Sequence, residues 1–225
     1  MRKDSKGFTL VEVTIILLVL VILSGILLPT IERFIDLARY VKVKEDVGMI
    51  AAVIELWKVD NCTRIFKVNG ASGSQSSDNR VDLLVSAISP ATGIPDTGMF
   101  APVGVGSSAT SDSNWLAVYT GAAGAFNVDT MDNQLVTNTP MGGGKYPSPG
   151  VSPVSCGWRG AYISGPIGPD PWGTRYMANV MFLGSSPNDV FVLSAGPDKI
   201  VQTPFQVDGA SAKEDDLIAL ISGGF

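Results

Sequence analysis

The sequence predicts an α+β chain, with one long N-terminal helix leading into a head of short strands and loops. Three observations predict it. A charge-poor apolar run opens the chain, an amphipathic helical stripe follows it, and brief strand-like runs broken by glycine and proline fill the rest. The 225 residues suit one domain plus an appendage. With 45% apolar and 16% charged residues, a sizeable core is expected and wholesale disorder is not. There is no histidine, which excludes Ser-His-Asp and Cys-His catalysis and any His-ligated metal. Two cysteines cannot build a four-thiolate zinc or iron–sulfur site. A net charge of −5 and a pI near 4.7 argue against a nucleic-acid partner held through phosphates. A structural protein remains, or chemistry based on acids and oxygen-ligated metals.

The N-terminal element comes first. Arg2, Lys3 and Lys6 outweigh Asp4, and Phe8–Leu28 is then apolar except for Glu12 and a few small or hydroxyl residues. About 20 such residues cross a bilayer as a helix. The preceding basic residues predict a cytoplasmic N-terminus with the remainder outside. A secretory signal peptide would need a small-residue cleavage site, and Ser24-Gly25 followed by Ile26-Leu27-Leu28-Pro29 fits that poorly. An ordinary signal anchor explains everything except Glu12. A carboxylate in a span costs about 2.5–3.5 kcal/mol on insertion scales, so it normally has a partner and a function.

The string Lys6-Gly7-Phe8-Thr9-Leu10-Val11-Glu12 closely resembles the class III signal of type IV pilins and type II secretion pseudopilins. The resemblance implies cleavage by a prepilin peptidase after Gly7 and N-methylation of the new terminal residue, Phe8. Glu12 then stands fifth in the mature chain and Pro29 twenty-second, both matching the family. In a stack of subunits the Phe8 amine of a neighbour would neutralise Glu12, and deleting one partner of such a buried pair costs about 3–5 kcal/mol. Pro29 removes one helical hydrogen bond and is expected to kink or loosen the helix.

Beyond Pro29 the pattern turns amphipathic. Ile31, Ile35 and Ala38 begin a stripe that Val43, Val47, Ile50, Ile54 and Trp57 continue at spacings of three and four. One helix is expected from about Phe8 to Val59, roughly 78 Å long at the α-helical rise. Its Val43–Trp57 face is read as core. Asn69–Asn79 reads as a loop, and Val81–Ile88 as a short amphipathic helix capped by Asp78 or Asn79. Residues 89–114 read as a second loop. Short strands are expected at Trp115–Thr120, Ala125–Val128, Gln134–Val136, Arg175–Leu183 and Asp189–Leu193, with Met141–Pro153 a further loop.

The order Trp158-Arg159-Gly160-Ala161-Tyr162, Asp170-Pro171-Trp172-Gly173, then Gly196-Pro197-Asp198 and Asp215-Asp216 resembles the C-terminal half of the major pseudopilin. The resemblance covers about residues 7–60 and 156–218, and weakly 80–90. It implies a leader at 1–7, an assembly helix at 8–29, an amphipathic half at 30–60 and a small antiparallel sheet head at 61–225. Residues 94–155 stand out as an insertion that could decorate a filament or contact a partner. The Asp-Pro-Trp-Gly turn is read as a fold element rather than an active site. The resemblance also implies calcium, held by Asp198, Asp215 and Asp216 with the Ala195 carbonyl. Lys199 departs from the usual glycine, and Asp208 is either a further ligand or a loop residue. Calcium takes six to eight oxygen ligands in general, so three carboxylates plus carbonyls suit it. Cys62 and Cys156 either pair, in a compartment that permits it, or stay as two separate thiols.

The resemblance therefore implies a structural subunit of a type II secretion pseudopilus, polymerised through its N-terminal helix to drive protein export, and not an enzyme. It would anchor by a single pass in a bacterial inner membrane, with a periplasmic head or as part of an extracellular filament. Its expected partners are copies of itself, minor pilin-like subunits, the prepilin peptidase/methyltransferase and an inner-membrane assembly platform. A surface pilus subunit and a minor pseudopilin are alternatives. A membrane-anchored binding module is another, but Gly142-Gly143-Gly144-Lys145 lacks the flanks of a phosphate loop.

Overall fold

The computed structural model describes residues 7–86, 115, 127–141, 143–150, 155–184 and 187–221. The chain divides between Lys42 and Val43 into two compact units. Helix α1, Leu10–Asn61, contributes to both. In the first unit every described residue from Gly7 to Lys42 is exposed, including the whole apolar run. Helix α1 continues through Pro29, so the expected loosening there does not interrupt it. The Thr30 hydroxyl donates to the Ile26 carbonyl at 3.3 Å, a side-chain bond across the turn that the proline ring weakens.

The second unit is built on the other half of α1. Val43, Val47, Ile50, Ile54 and Trp57 are all buried, as the stripe predicts, and Ala51 joins them. The helix ends where Cys62 adopts a left-handed conformation (φ 49°) and the Asn61 side chain donates back to the Trp57 carbonyl at 3.0 Å. Phe66 stacks on Trp57 with ring centroids 3.7 Å apart.

Among the described residues, five strands form one sheet in the order β2-β1-β3-β4-β5. They are β1 Leu83–Val85, β2 Val128–Thr130, β3 Met177–Ala178, β4 Val190–Ser194 and β5 Leu217–Ile221. β1 pairs antiparallel with β3, β3 with β4, and β4 with β5. The sheet is not purely antiparallel as expected, because β1 and β2 are parallel with Leu83 opposite Val128. β4 is buried on both faces, which is why Val190–Leu193 is apolar throughout instead of alternating.

Three local expectations are corrected. Of Val81–Ile88, the described residues 81–86 are not helical: all are buried, and Leu83–Val85 is a strand between two neighbours. A run buried all round has no polar face, and helical spacing cannot identify it. Gln134–Val136 is not a strand but part of a π-helical turn, Asp132–Val136. Buried Asp129 holds that turn. Its Oδ1 accepts from the Thr130 amide and Asn133 Nδ2, both at 2.7 Å, and its Oδ2 from Gln134 Nε2 at 2.6 Å and the Met141 amide at 3.1 Å. Within Arg175–Leu183 only Met177–Ala178 is strand, and Val180–Phe182 is a 3-10 turn. The strands expected at 116–120 and 125–126 lie outside the described residues.

The insertion is not only a decoration. Its β2 is the outermost strand among the described residues, and Trp115, Val128, Met131, Leu135 and Tyr146 join the continuous core. Trp115 donates its indole N–H to the Thr203 carbonyl at 2.8 Å and meets Phe205 edge-on at 4.9 Å.

Candidate functional site

Two regions hold the residues singled out by sequence. At the N-terminus Gly7 precedes the helix, Phe8 is 80% exposed, and Thr9 stands just before the first helical turn. The Thr9 backbone and hydroxyl both donate to Glu12 Oε2, at 2.8 and 2.9 Å, and the Glu12 amide donates back to Thr9 Oγ1 at 3.3 Å. Thr9 and Glu12 thus form a reciprocal capping box, a signal carried by the Thr-x-x-Glu spacing and overlooked in reading Glu12 as an assembly residue alone. The carboxylate remains exposed, among apolar side chains that are exposed along the helix to Leu28. By length and composition this helix suits a membrane span.

In the head, Cys62 and Cys156 are joined, with Cα atoms 5.4 Å apart. Both sit at the surface, not as separate buried thiols. The link is reinforced locally. The Gly157 amide donates to the Asp60 carbonyl at 2.9 Å, and Arg159 Nε lies 3.2 Å from Asp60 Oδ1. The Asp-Pro-Trp-Gly turn is closed by buried Asp170. Its Oδ1 accepts from the Trp172 and Thr174 amides, and its Oδ2 accepts from the Ser194 hydroxyl at 2.6 Å. Every oxygen of that aspartate is committed to the fold, which suits a turn-former and not a reacting group.

The acidic loop is assembled from two segments. Gly196 (φ 64°) turns the chain after β4, and a Cβ there would stand 2.4 Å from the Asp215 carbonyl oxygen, so the two segments meet at a position only glycine fits. The Asp198 amide donates to Asp215 Oδ2 at 3.2 Å. Asp198 Oδ1 accepts from the Ile200 amide at 2.8 Å and Oδ2 from Gln202 Nε2 at 2.6 Å. Asp216 is 4% exposed, and its Oδ2 accepts from the Gln202 and Thr203 amides at 2.9 and 2.6 Å. Burial pushes the Asp216 carboxyl up to about 6 against the pull of those donors. Ala195 is buried beside this turn. Lys199 takes a left-handed conformation (φ 64°), the reason a glycine would be at home there. Asp208 is exposed, and its flanking residues are tied instead to Asp189, through the Val207 carbonyl and the Ala210 amide.

Two buried side-chain oxygens in this loop, Asp216 Oδ1 and Gln202 Oε1, accept no hydrogen bond among the described residues. Acceptor-only oxygens of that kind suit a hard cation. Among the described residues, however, no three acidic or cysteine side chains gather closely enough to hold a metal ion by themselves. The loop therefore fits calcium in donor chemistry only if neutral oxygens complete the set. Gln202 was not among the residues singled out by sequence, since an uncharged side chain carries no local metal signature.

Residues 2–28 match the prokaryotic N-terminal methylation motif. The type II secretion system core protein G of Pseudomonas aeruginosa is 33% identical over 60 residues, which is 27% of this chain and 42% of that protein. The type IV major fimbrial protein FimA of Dichelobacter nodosus is 34% identical over 87 residues, 35% of this chain and 54% of that protein. The chain thus spans about half the length of these curated relatives. No solved structure matches it significantly. With a methylation motif at its N-terminus, a long apolar helix after it and an α+β head, the chain is similar over part of its length to a type II secretion core protein G and to a type IV fimbrial protein.

Proposed function

We propose that the chain is a structural subunit of a type II secretion pseudopilus. A prepilin peptidase cuts after Gly7, Phe8 is N-methylated, and the subunits polymerise through their N-terminal helices to drive protein export. The observation that carries this reading is the methylation motif at residues 2–28 joined to a helix whose apolar side chains are all exposed to Leu28. Such a surface needs a bilayer before assembly and neighbouring helices after it. In that setting the N-terminus faces the cytoplasm and the head the periplasm, in line with Arg2, Lys3 and Lys6 before the span. Minor pilin-like subunits, the processing enzyme and an inner-membrane platform are the partners this function requires.

The acidic loop supports a structural calcium site made by Asp198, Asp215, Asp216 and the Ala195 carbonyl. The ion would relieve repulsion between adjacent carboxylates and stabilise the head by linkage. The thermal midpoint is expected to be higher in calcium than in chelator.

A second reading, a surface pilus subunit, is favoured by the longer stretch shared with the fimbrial protein, 87 residues against 60. Peptide mass spectrometry of sheared filaments and of washed membranes separates the two. A methylated Phe8 peptide confined to membranes is the expected result. Its abundance in sheared filaments would reassign the chain to a surface pilus.

A further inference from the structure

We propose that a hollow beside the Cys62–Cys156 link takes a small anionic thiol, with Lys67 holding its acidic group and its sulfur exchanging with the disulfide at Cys156. The proposal does not depend on the assembly reading above. The hollow holds about 190 Å³, and its lining includes Asn61, Lys67, Ser72, Gly73, Tyr146 and Cys156. That volume suits a molecule of a few heavy atoms and lies below the range of drug-sized sites. Cys156 forms part of the wall, and both cysteines are exposed, so a thiolate reaches the bond without unfolding the head.

Charge selects the ligand. Among the described residues that line the hollow, Lys67 alone carries a charge. Its ammonium donates to the carbonyl of Ser72, another lining residue, at 2.7 Å, which sets it at the wall. An ammonium has three N–H donors, so two stay open among the described residues. Asp60, next to the link in sequence, is answered by Arg159 at 3.2 Å. The chain as a whole carries −5, so its general field repels an anion and the hollow is a local exception. The step is thiol–disulfide exchange. The ligand thiol gives its proton to solvent, its thiolate attacks Cys156 Sγ, the Sγ–Sγ bond breaks, and Cys62 leaves as a thiolate. One disulfide replaces another, with no net oxidation. Attack falls on Cys156 because it is the cysteine in the lining. Afterwards the Gly157 amide on the Asp60 carbonyl and the Asp60–Arg159 pair keep the two segments together, so Cys62 returns and releases the ligand. The link at the end of helix α1 thus opens reversibly.

The test uses the full-length chain in neutral detergent micelles. Mercaptoethanesulfonate, mercaptoethanol and cysteamine supply an anionic, a neutral and a cationic thiol of similar size. Exchange rates are compared per thiolate, the reacting form, and relative to a small neutral disulfide, which cancels intrinsic reactivity. Samples quenched early with acid are mapped by mass spectrometry. The anionic thiol is expected to react about two- to fivefold faster than the neutral one, the scale of an exposed ion pair. The cationic thiol is expected to be slowest, and the adduct is expected on Cys156. High salt should flatten the order. Lys67→Met is expected to remove the anionic preference and Lys67→Arg to keep it, a division that loss of packing alone does not produce. Equal rates for the three thiols, a cationic thiol reacting fastest, an anionic preference that survives in Lys67→Met, or an adduct on Cys62 each overturns the proposal.

Discussion

Glu12 carries two separable properties, a capping geometry and a charge. Its Oε2 accepts from the Thr9 backbone and hydroxyl, an arrangement glutamine can reproduce in part, since a capping box accepts either residue. The charge is what the amine of a neighbouring subunit would need. Glu12→Gln and Glu12→Ala are therefore both expected to be cut after Gly7 yet to yield few filaments, scored by processed-peptide abundance and by filament recovery. Parent-level filaments from Glu12→Gln would make the cap, not the charge, the relevant property. Asp129 makes a different demand. Its two oxygens accept four N–H groups, so an asparagine in its place would set an amide N–H against donors on one side. Asp129→Asn is expected to destabilise the head by about 2–4 kcal/mol, as for a buried polar network left unsatisfied. Burial raises the Asp129 carboxyl above its ordinary value against the pull of its four N–H donors. Denaturant unfolding of Asp129→Asn beside the parent checks the loss, and a parent-like free energy would show that the network tolerates the amide.

Among the elements, the junction after α1 depends most on covalent help. The helix ends at Asn61, the chain turns at Cys62 with positive φ, and the disulfide ties that turn to Cys156, 94 residues away in sequence. Closing so long a loop contributes about 4–5 kcal/mol in the chain-entropy model, and removing a native disulfide typically costs about 2–5 kcal/mol. Cys62→Ser with Cys156→Ser should lower the unfolding midpoint accordingly, and reductant should do the same to the parent because both cysteines are at the surface. The absence of free thiols in the denatured, unreduced parent checks the pairing directly. The short strands need this help. β1, β2 and β3 are two or three residues long, and a buried polar network, not strand length, keeps the β2 region in register.

For the chain in its entirety, the burial pattern marks where folding stops and assembly begins. No described residue from Gly7 to Lys42 is buried, whereas Val43, Val47, Ile50, Ile54 and Trp57 belong to the head's core. A chain starting at Phe34 should thus be soluble without detergent and unfold at nearly the parent's midpoint. A chain starting at Ile50 forfeits Val43 and Val47 and should lose about 2–5 kcal/mol for each large apolar contact removed. Circular dichroism melts of both truncations check this. A large loss in the longer one would mean that the N-terminal residues support the head.

What the residues in order could specify was whatever depends on local chemistry. The apolar run, the placement of Gly7, Phe8, Glu12 and Pro29, the buried stripe from Val43 to Trp57 and the α+β class all follow from periodicity, charge and short motifs. The tertiary structure alone decided what depends on distant partners. Leu83–Val85 is strand because neighbours bury it all round, Gln134 turns because it serves Asp129, and Trp115 is core because Thr203 accepts its N–H. Likewise the Cys62–Cys156 link and the place of Gln202 between Asp198 and Asp216 arise from segments brought together across the head. Periodicity reports which face of an element is apolar, but not which remote group will meet it.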